Sequence, residues 1–207
     1  MNRIVTGRGI AVFAGLALAA SGGLLVAGPL APPAGPVVSS YKTLSEVEPR
    51  SALSATSTPG SAIAVYAISS PGSYYLTGDL AVPAGKAGIL VQAPNVTLDL
   101  NGFRIAGGAY GVQLGAGTGG WMVVKNGHIF GSSLAGVEGT AGAGCRYEGL
   151  TITVGNAEGL NGGPQSVIEK CSVKLAGSPG ILAPEGSAVR QCTVETTGGV
   201  GIWIPGA

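Results

Sequence analysis

The chain has 207 residues and a net charge of +1, with 10% charged side chains against 45% hydrophobic ones. A chain so apolar and so weakly charged collapses instead of staying solvated, which excludes intrinsic disorder, and its scattered Lys and Arg residues form no footprint for nucleic acid. Its 38 glycines keep no three-residue period, which excludes collagen and calls for many tight corners between short buried strands.

In chain order, residues 1–28 carry Arg3 and Arg8 ahead of an apolar run at 10–20 and a stretch of small residues, the layout of a secretory signal peptide. Ala17-Leu18-Ala19 is the expected cleavage motif. An uncleaved membrane anchor is the competing reading, against which Gly15, Ser21, Gly22 and Gly23 weaken a permanent span. Pro29, Pro32, Pro33 and Pro36 make 29–40 an extended spacer. Residues 41–63 then read as an N-terminal capping segment: Thr43-Leu44-Ser45-Glu46 has capping-box spacing, and Pro49 stops any helix soon afterwards.

Residues 64–207 repeat. Gly-plus-apolar pairs begin at Gly88, Gly111, Gly136, Gly159, Gly180 and Gly201, spaced 23, 25, 23, 21 and 21 residues apart. A second anchor recurs at Ile105, Ile129, Ile152, Val173 and Val194, spaced 24, 23, 21 and 21. Two residues before that anchor lie Phe103, Gly127, Leu150, Cys171 and Cys192; five before it lie Leu100, Val124, Tyr147, Ile168 and Val189. Both sets are apolar or small, so with the two-residue period of a strand they form inward columns, and the parity change between them puts a corner at Gly102, Asn126, Gly149, Lys170 and Gln191. The predicted fold is all-β: a parallel β-helix of about five to six coils with three short strands per coil and an incomplete last coil. Its right-handedness follows only the general rule for parallel crossovers. An earlier coil is expected over Ala64-Val65-Tyr66-Ala67-Ile68, Tyr74-Tyr75-Leu76 and Leu80-Ala81-Val82.

This coil pattern resembles the right-handed parallel β-helix of the pectin-lyase-like superfamily. Residues 41–50, 71–78 and 95–103 are further similar to the front half of a group of exported bacterial β-helix proteins of unassigned activity. The resemblance implies fold and export but no reaction, since that scaffold carries lyases, hydrolases, adhesins and spikes.

Residue by residue, an enzyme finds little support. Asp occurs only at Asp79 and Asp99, too few for a pectate-lyase-like calcium cluster. The string Asn126-Gly127-His128-Ile129 departs from the Gly-His-Gly of polygalacturonase-like hydrolases, and no pair of carboxylates stands out for glycoside hydrolysis. Cys145, Cys171 and Cys192 contain no CxxC, and His128 is the sole histidine, so neither a zinc site nor a disulfide framework is expected.

The most ordered polar feature is the outward column Asn101, Lys125, Glu148, Glu169 and Arg190, read first as a solvated face with Lys125 facing Glu148 and Glu169 facing Arg190. As a binding face it would take a sugar hydroxyl network, or Ca2+ between the like-charged Glu148 and Glu169. His128, with Arg104 on one side and Thr151 on the other, is the catalytic candidate for acid–base chemistry on a uronic sugar, against the plainer reading of a surface histidine. The expectation is an exported, non-catalytic β-helix scaffold that binds polysaccharide, with no membrane partner for the mature domain. A polysaccharide lyase or glycoside hydrolase is the rival reading, and an adhesive module that self-associates end to end through its open last coil is a third.

Overall fold

The computed structural model describes residues 48–116, 119–177, 179–196 and 198–205. The leader, the spacer and Thr43 to Glu46 therefore lie outside the described residues. Within them the chain is a parallel β-solenoid of about 6 turns without helices.

β1 (Ser51–Ala52) precedes a first turn of β2 (Ala64–Ile68), β3 (Gly72–Tyr75) and β4 (Leu80–Val82). The second turn is β5 (Ala87–Val91), β6 (Val96–Asp99) and β7 (Arg104–Gly107). The third is β8 (Tyr110–Leu114) and β9 (Met122–Phe130), the fourth β10 (Ala135–Glu138) and β11 (Arg146–Thr153); in both, the second and third strands run together. Then follow β12 (Glu158–Asn161), β13 (Val167–Glu169) and β14 (Ser172–Ala176), next β15 (Ile181–Leu182), β16 (Ala188–Arg190) and β17 (Thr193–Thr196), and finally β18 (Ile202–Trp203). The first strand of every turn joins a 7-stranded sheet, and the others form an 11-stranded sheet to which β1 adds an edge.

Both repeated anchors are true columns. Leu80 pairs with Ile105, Ile105 with Ile129, Ile129 with Ile152, Ile152 with Val173 and Val173 with Val194, all in parallel register. In the other sheet Ile89, Val112, Val137, Leu160, Ile181 and Ile202 follow one another in the same way. Ile105, Ile129 and Ile152 are at most 1% exposed, so each contributes about 1.5–3 kcal/mol of burial.

The two columns recur together because they touch. A Cβ added at Gly88 would lie 2.7 Å from Cγ2 of Ile105 and 2.6 Å from the carbonyl oxygen of Gly111. At Gly111 and Gly136 the same atom would meet Ile129 and Ile152, and come within 2.7 Å of the next glycine carbonyl in each case. Each glycine thus gives up its side chain to the β-branched anchor of its own coil and to the glycine carbonyl of the coil that follows.

The predicted corner is a column of left-handed residues: Gly102, Asn126, Gly149, Lys170 and Gln191 have φ of 79°, 57°, 62°, 53° and 52°. A second such column, at Asn95, Trp121, Gly144, Gln165 and Gly186, has φ between 55° and 75° and is not marked by a recurring residue type in the sequence.

Two sequence expectations need correction. The partner of Val124 is Leu98, not Leu100, and the partner of Lys125 is Asp99, not Asn101. The cause is a turn. Asn101 and Gly102 both have positive φ (54° and 79°), and the Phe103 N–H donates to the Leu100 carbonyl at 2.9 Å, a primed turn of the kind Asn-Gly favours. That turn makes the corner two residues longer than the one at Asn126. Leu100 still points inward, where a Cβ on Gly127 would approach its Cδ1 to 2.8 Å, and Phe103 is left half-buried.

Gly136→Ala should lower the unfolding free energy by about 1–3 kcal/mol, because the new methyl meets a backbone carbonyl and a buried isoleucine. Gly78→Ala, where no atom lies within 4 Å of an added Cβ, should stay within about 0.5 kcal/mol of the parent. Urea melts followed by circular dichroism give both values, and equal effects at the two positions would contradict the glycine–anchor contact.

Candidate functional site

The outward face of the 11-stranded sheet carries the charged column. Asp99, Lys125, Glu148, Glu169 and Arg190 are successive register partners across β6, β9, β11, β13 and β16. Asn101 is exposed at the turn instead, its N–H donating to Asp99 Oδ1 at 2.9 Å. Register does not choose the ion pairs. Lys125 turns to Asp99 (3.7 Å), which also takes Arg50 Nη1 at 3.1 Å, and Arg50 stacks 4.8 Å over the Tyr75 ring. Glu148 is held by Arg146 and Lys170, each at 3.4 Å, and Glu169 by Arg146. Arg190 makes no ion pair among the described residues.

Arg146 comes from the neighbouring outward column, in register with Val123 and Val167. Those three residues, with Trp121 and Gly144, line a shallow, mainly apolar pocket of about 270 Å³. Trp121 is 71% exposed, held in the left-handed region (φ 60°) with its N–H donating to the Ala143 carbonyl at 3.0 Å. Its indole lies over Gly144. An aromatic face, an arginine and two carboxylates thus adjoin on one surface.

His128 is exposed between its register partners Arg104 and Thr151. Arg104 faces Asp79 at 3.7 Å, an exposed pair of little energetic weight. No pocket described here includes His128 or Arg104. Cys171 and Cys192 stack in adjacent coils, and burial, with Cys192 alongside, pushes the Cys171 thiol up to about 12. That thiol is a space-filler, not a nucleophile, at neutral pH.

The outward face of the 7-stranded sheet holds what the sequence did not reveal. Asn161 Nδ2 donates to Glu138 Oε2 at 3.2 Å and also to Glu158 Oε2. Glu138 Oε1 in turn accepts from the Thr140 N–H at 3.0 Å and from the Thr140 hydroxyl. Both glutamates line the larger pocket, about 470 Å³, together with Tyr110, Ser133, Leu134 and Asn156. The pair is hidden from any column search because Glu158 is in register with Ala135, and Glu138 with Asn161.

Among the described residues no three His, Cys, Asp or Glu side chains converge to hold a metal, and no helix is long and apolar enough to cross a membrane. The described end of the stack exposes Val200, Ile202, Trp203 and Ile204. The fold and these faces define a parallel β-helix repeat protein. No family model, curated protein or solved structure matches the chain.

The hydrogen bonds from the Arg50 side chain, and then its backbone N–H, lower the Glu48 carboxyl to about 2. A lowered carboxylate adds stability that is complete above its unfolded value of about 4.3 and drains away as pH falls through the folded value. Carboxyl NMR titration should therefore find Glu48 near about 2, with the Arg50→Gln variant returning it to the ordinary range; an unchanged titration would remove this pair from the ladder.

Proposed function

We propose that the protein is an exported, non-catalytic β-helix scaffold that binds polysaccharide along the outward face of its 11-stranded sheet. The carrying observation is Trp121, 71% exposed on a fixed left-handed corner and flanked by Arg146. Such a face stacks on a sugar ring, while the flanking arginine and carboxylates take up its hydroxyl and carboxyl groups. The repeat suits an extended polymer, because outward positions recur at the strand spacing of about 4.8 Å. Export rests on the signal-peptide layout of residues 1–28, a pectin-lyase-like helix on the resemblance of the coil pattern, and its right-handedness on the general rule for parallel crossovers.

The rival enzyme reading has one observation in its favour: Glu138 and Glu158 share a pocket, as glycoside hydrolysis requires of its two carboxylates. Release of reducing ends or unsaturated product from a uronic polymer, abolished by Glu158→Gln, would replace the scaffold reading with that one.

In affinity electrophoresis against neutral and uronic polysaccharides, the full chain should be retarded by at least one polymer. Trp121→Ala should weaken that binding about tenfold, the share of one aromatic stacking contact, and Arg146→Gln should weaken uronic polymers selectively. Retardation by none of the polymers, or an unchanged Trp121→Ala protein, would reject the proposal.

A further inference from the structure

The first and last described turns are finished differently. At the first turn β1 adds to β3, with Ser51 opposite Tyr74 and Ala52 opposite Tyr75, and the Leu53 N–H donates to the Tyr75 carbonyl at 2.9 Å. Leu53, 2% exposed, joins the core and closes it at that end. The chain then turns back through Thr58, whose N–H and hydroxyl both donate to the Ser54 carbonyl, and Gly60 comes to lie against the Ala64 and Val65 carbonyls of β2. Residues 48–60 thus form a strap over an edge that a parallel sheet otherwise offers to another strand.

At the last described turns the inward columns end on incompletely covered residues. Val189, Cys192 and Val194 are half-buried and Ile202 is 41% exposed, whereas Val112, Val124 and Ile129 in the third turn are at most 1% exposed. The register that builds the molecule states what fits there. Val189, Val194 and Ile202 of one copy continue onto Tyr74, Leu80 and Tyr66 of another, the residues that open the same three columns. Charge agrees with register. Arg190 ends the charged column without an ion pair among the described residues, and in such a stack it falls on Tyr75, next in the column to Asp99. Arg50 of the strap already holds that position: it lies 4.8 Å over the Tyr75 ring and bonds Asp99 at 3.1 Å. The strap supplies from within the chain the apolar plug and the cation that the last turn of a second copy also offers.

We propose that residues 48–60 are a brake on head-to-tail self-association, occupying the face of the first turn onto which the last described turn of a second copy stacks. The contact is heterologous, so once the strap is displaced it repeats from copy to copy and gives an open series of oligomers, not a closed dimer. Arg50 is anchored through partly exposed pairs, to Glu48 at 2.7 Å and to Asp99, which hold less firmly than the dry core beneath them. Neither contacting surface includes Trp121, so the brake stands or falls apart from polysaccharide binding.

The test is sedimentation velocity of the full chain from about 1 to 100 μM, the range in which contacts of modest affinity assemble. The parent should stay monomeric. Arg50→Gln combined with Leu53→Asp, which unseats the strap, should give oligomers that grow with concentration. Adding Ile202→Asp or Arg190→Glu, at the other end of the stack, should return that chain to monomer. Retained β-sheet circular dichroism shows that the turns are folded; if Leu53→Asp loses it, Arg50→Gln alone is held to the same criteria. An unstrapped chain that stays monomeric, oligomers that persist when Ile202→Asp and Arg190→Glu are both added, or a parent that assembles as readily as the unstrapped chain would each overturn the proposal.

Discussion

Everything in this molecule rests on the contact between a column of glycines and a column of β-branched side chains. The glycine near the start of the first strand of a turn lies against the isoleucine or valine that anchors the third strand of the same turn: Gly88 on Ile105, Gly111 on Ile129, Gly136 on Ile152, Gly159 on Val173. No other residue fits, because a Cβ would collide with both the anchor methyl and the next glycine carbonyl. The contact brings two sheets together across a thin, dry interior whose side chains are essentially unexposed. It also fixes where length can vary. The strands and these two columns must stay in step, so extra residues are tolerated only at corners, as at Asn101-Gly102.

The same contact explains what the sequence exposes. Any departure in either column costs packing in two coils, so both repeats survive in the sequence, and reading them gives strand register directly: Ile105 to Ile129 to Ile152 to Val173 to Val194 is one ladder. Corners are nearly as legible, since a left-handed backbone draws Asn and Gly to the same place in each coil. Lys170 and Gln191 hold that conformation too, which shows that the neighbouring coils and not the residue's own preference set it. Counting back a fixed number of residues failed at Leu100 and Asn101 because it assumed equal corners. The Asn-Gly dipeptide was the available signal that this corner differed.

The candidate sites were less legible for a geometric reason. Column reading finds residues that are equivalent from coil to coil, whereas a site is built from residues that are not. Glu138 and Glu158 meet by leaning toward one amide from positions three residues apart in register. Arg146 reaches Glu169 from a different column, while Lys125, with Asp99 and Glu148 as its two register partners, pairs with Asp99. Long charged side chains span more than one strand spacing, so Cα register limits their partners without selecting among them.

A solenoid of this kind separates the residues that hold it together from those that give it chemistry. Inward positions answer to the coil above and below, and outward positions answer only to solvent and ligand. Exposed ion pairs contribute little to stability, on the order of 0.2–1 kcal/mol each, so the ladder from Arg50 to Lys170 is better understood as orienting its side chains beside Trp121 than as holding the coils together. Conversely, removing outward chemistry should leave the fold nearly untouched. Two faces of one solenoid can then differ in chemistry: an aromatic and ionic surface balanced within itself on one sheet, and a pair of carboxylates sharing an amide on the other. The scaffold does not require that pair. Nothing in the stacking of Val137 on Leu160 calls for Glu138 beside the one or Glu158 two residues from the other.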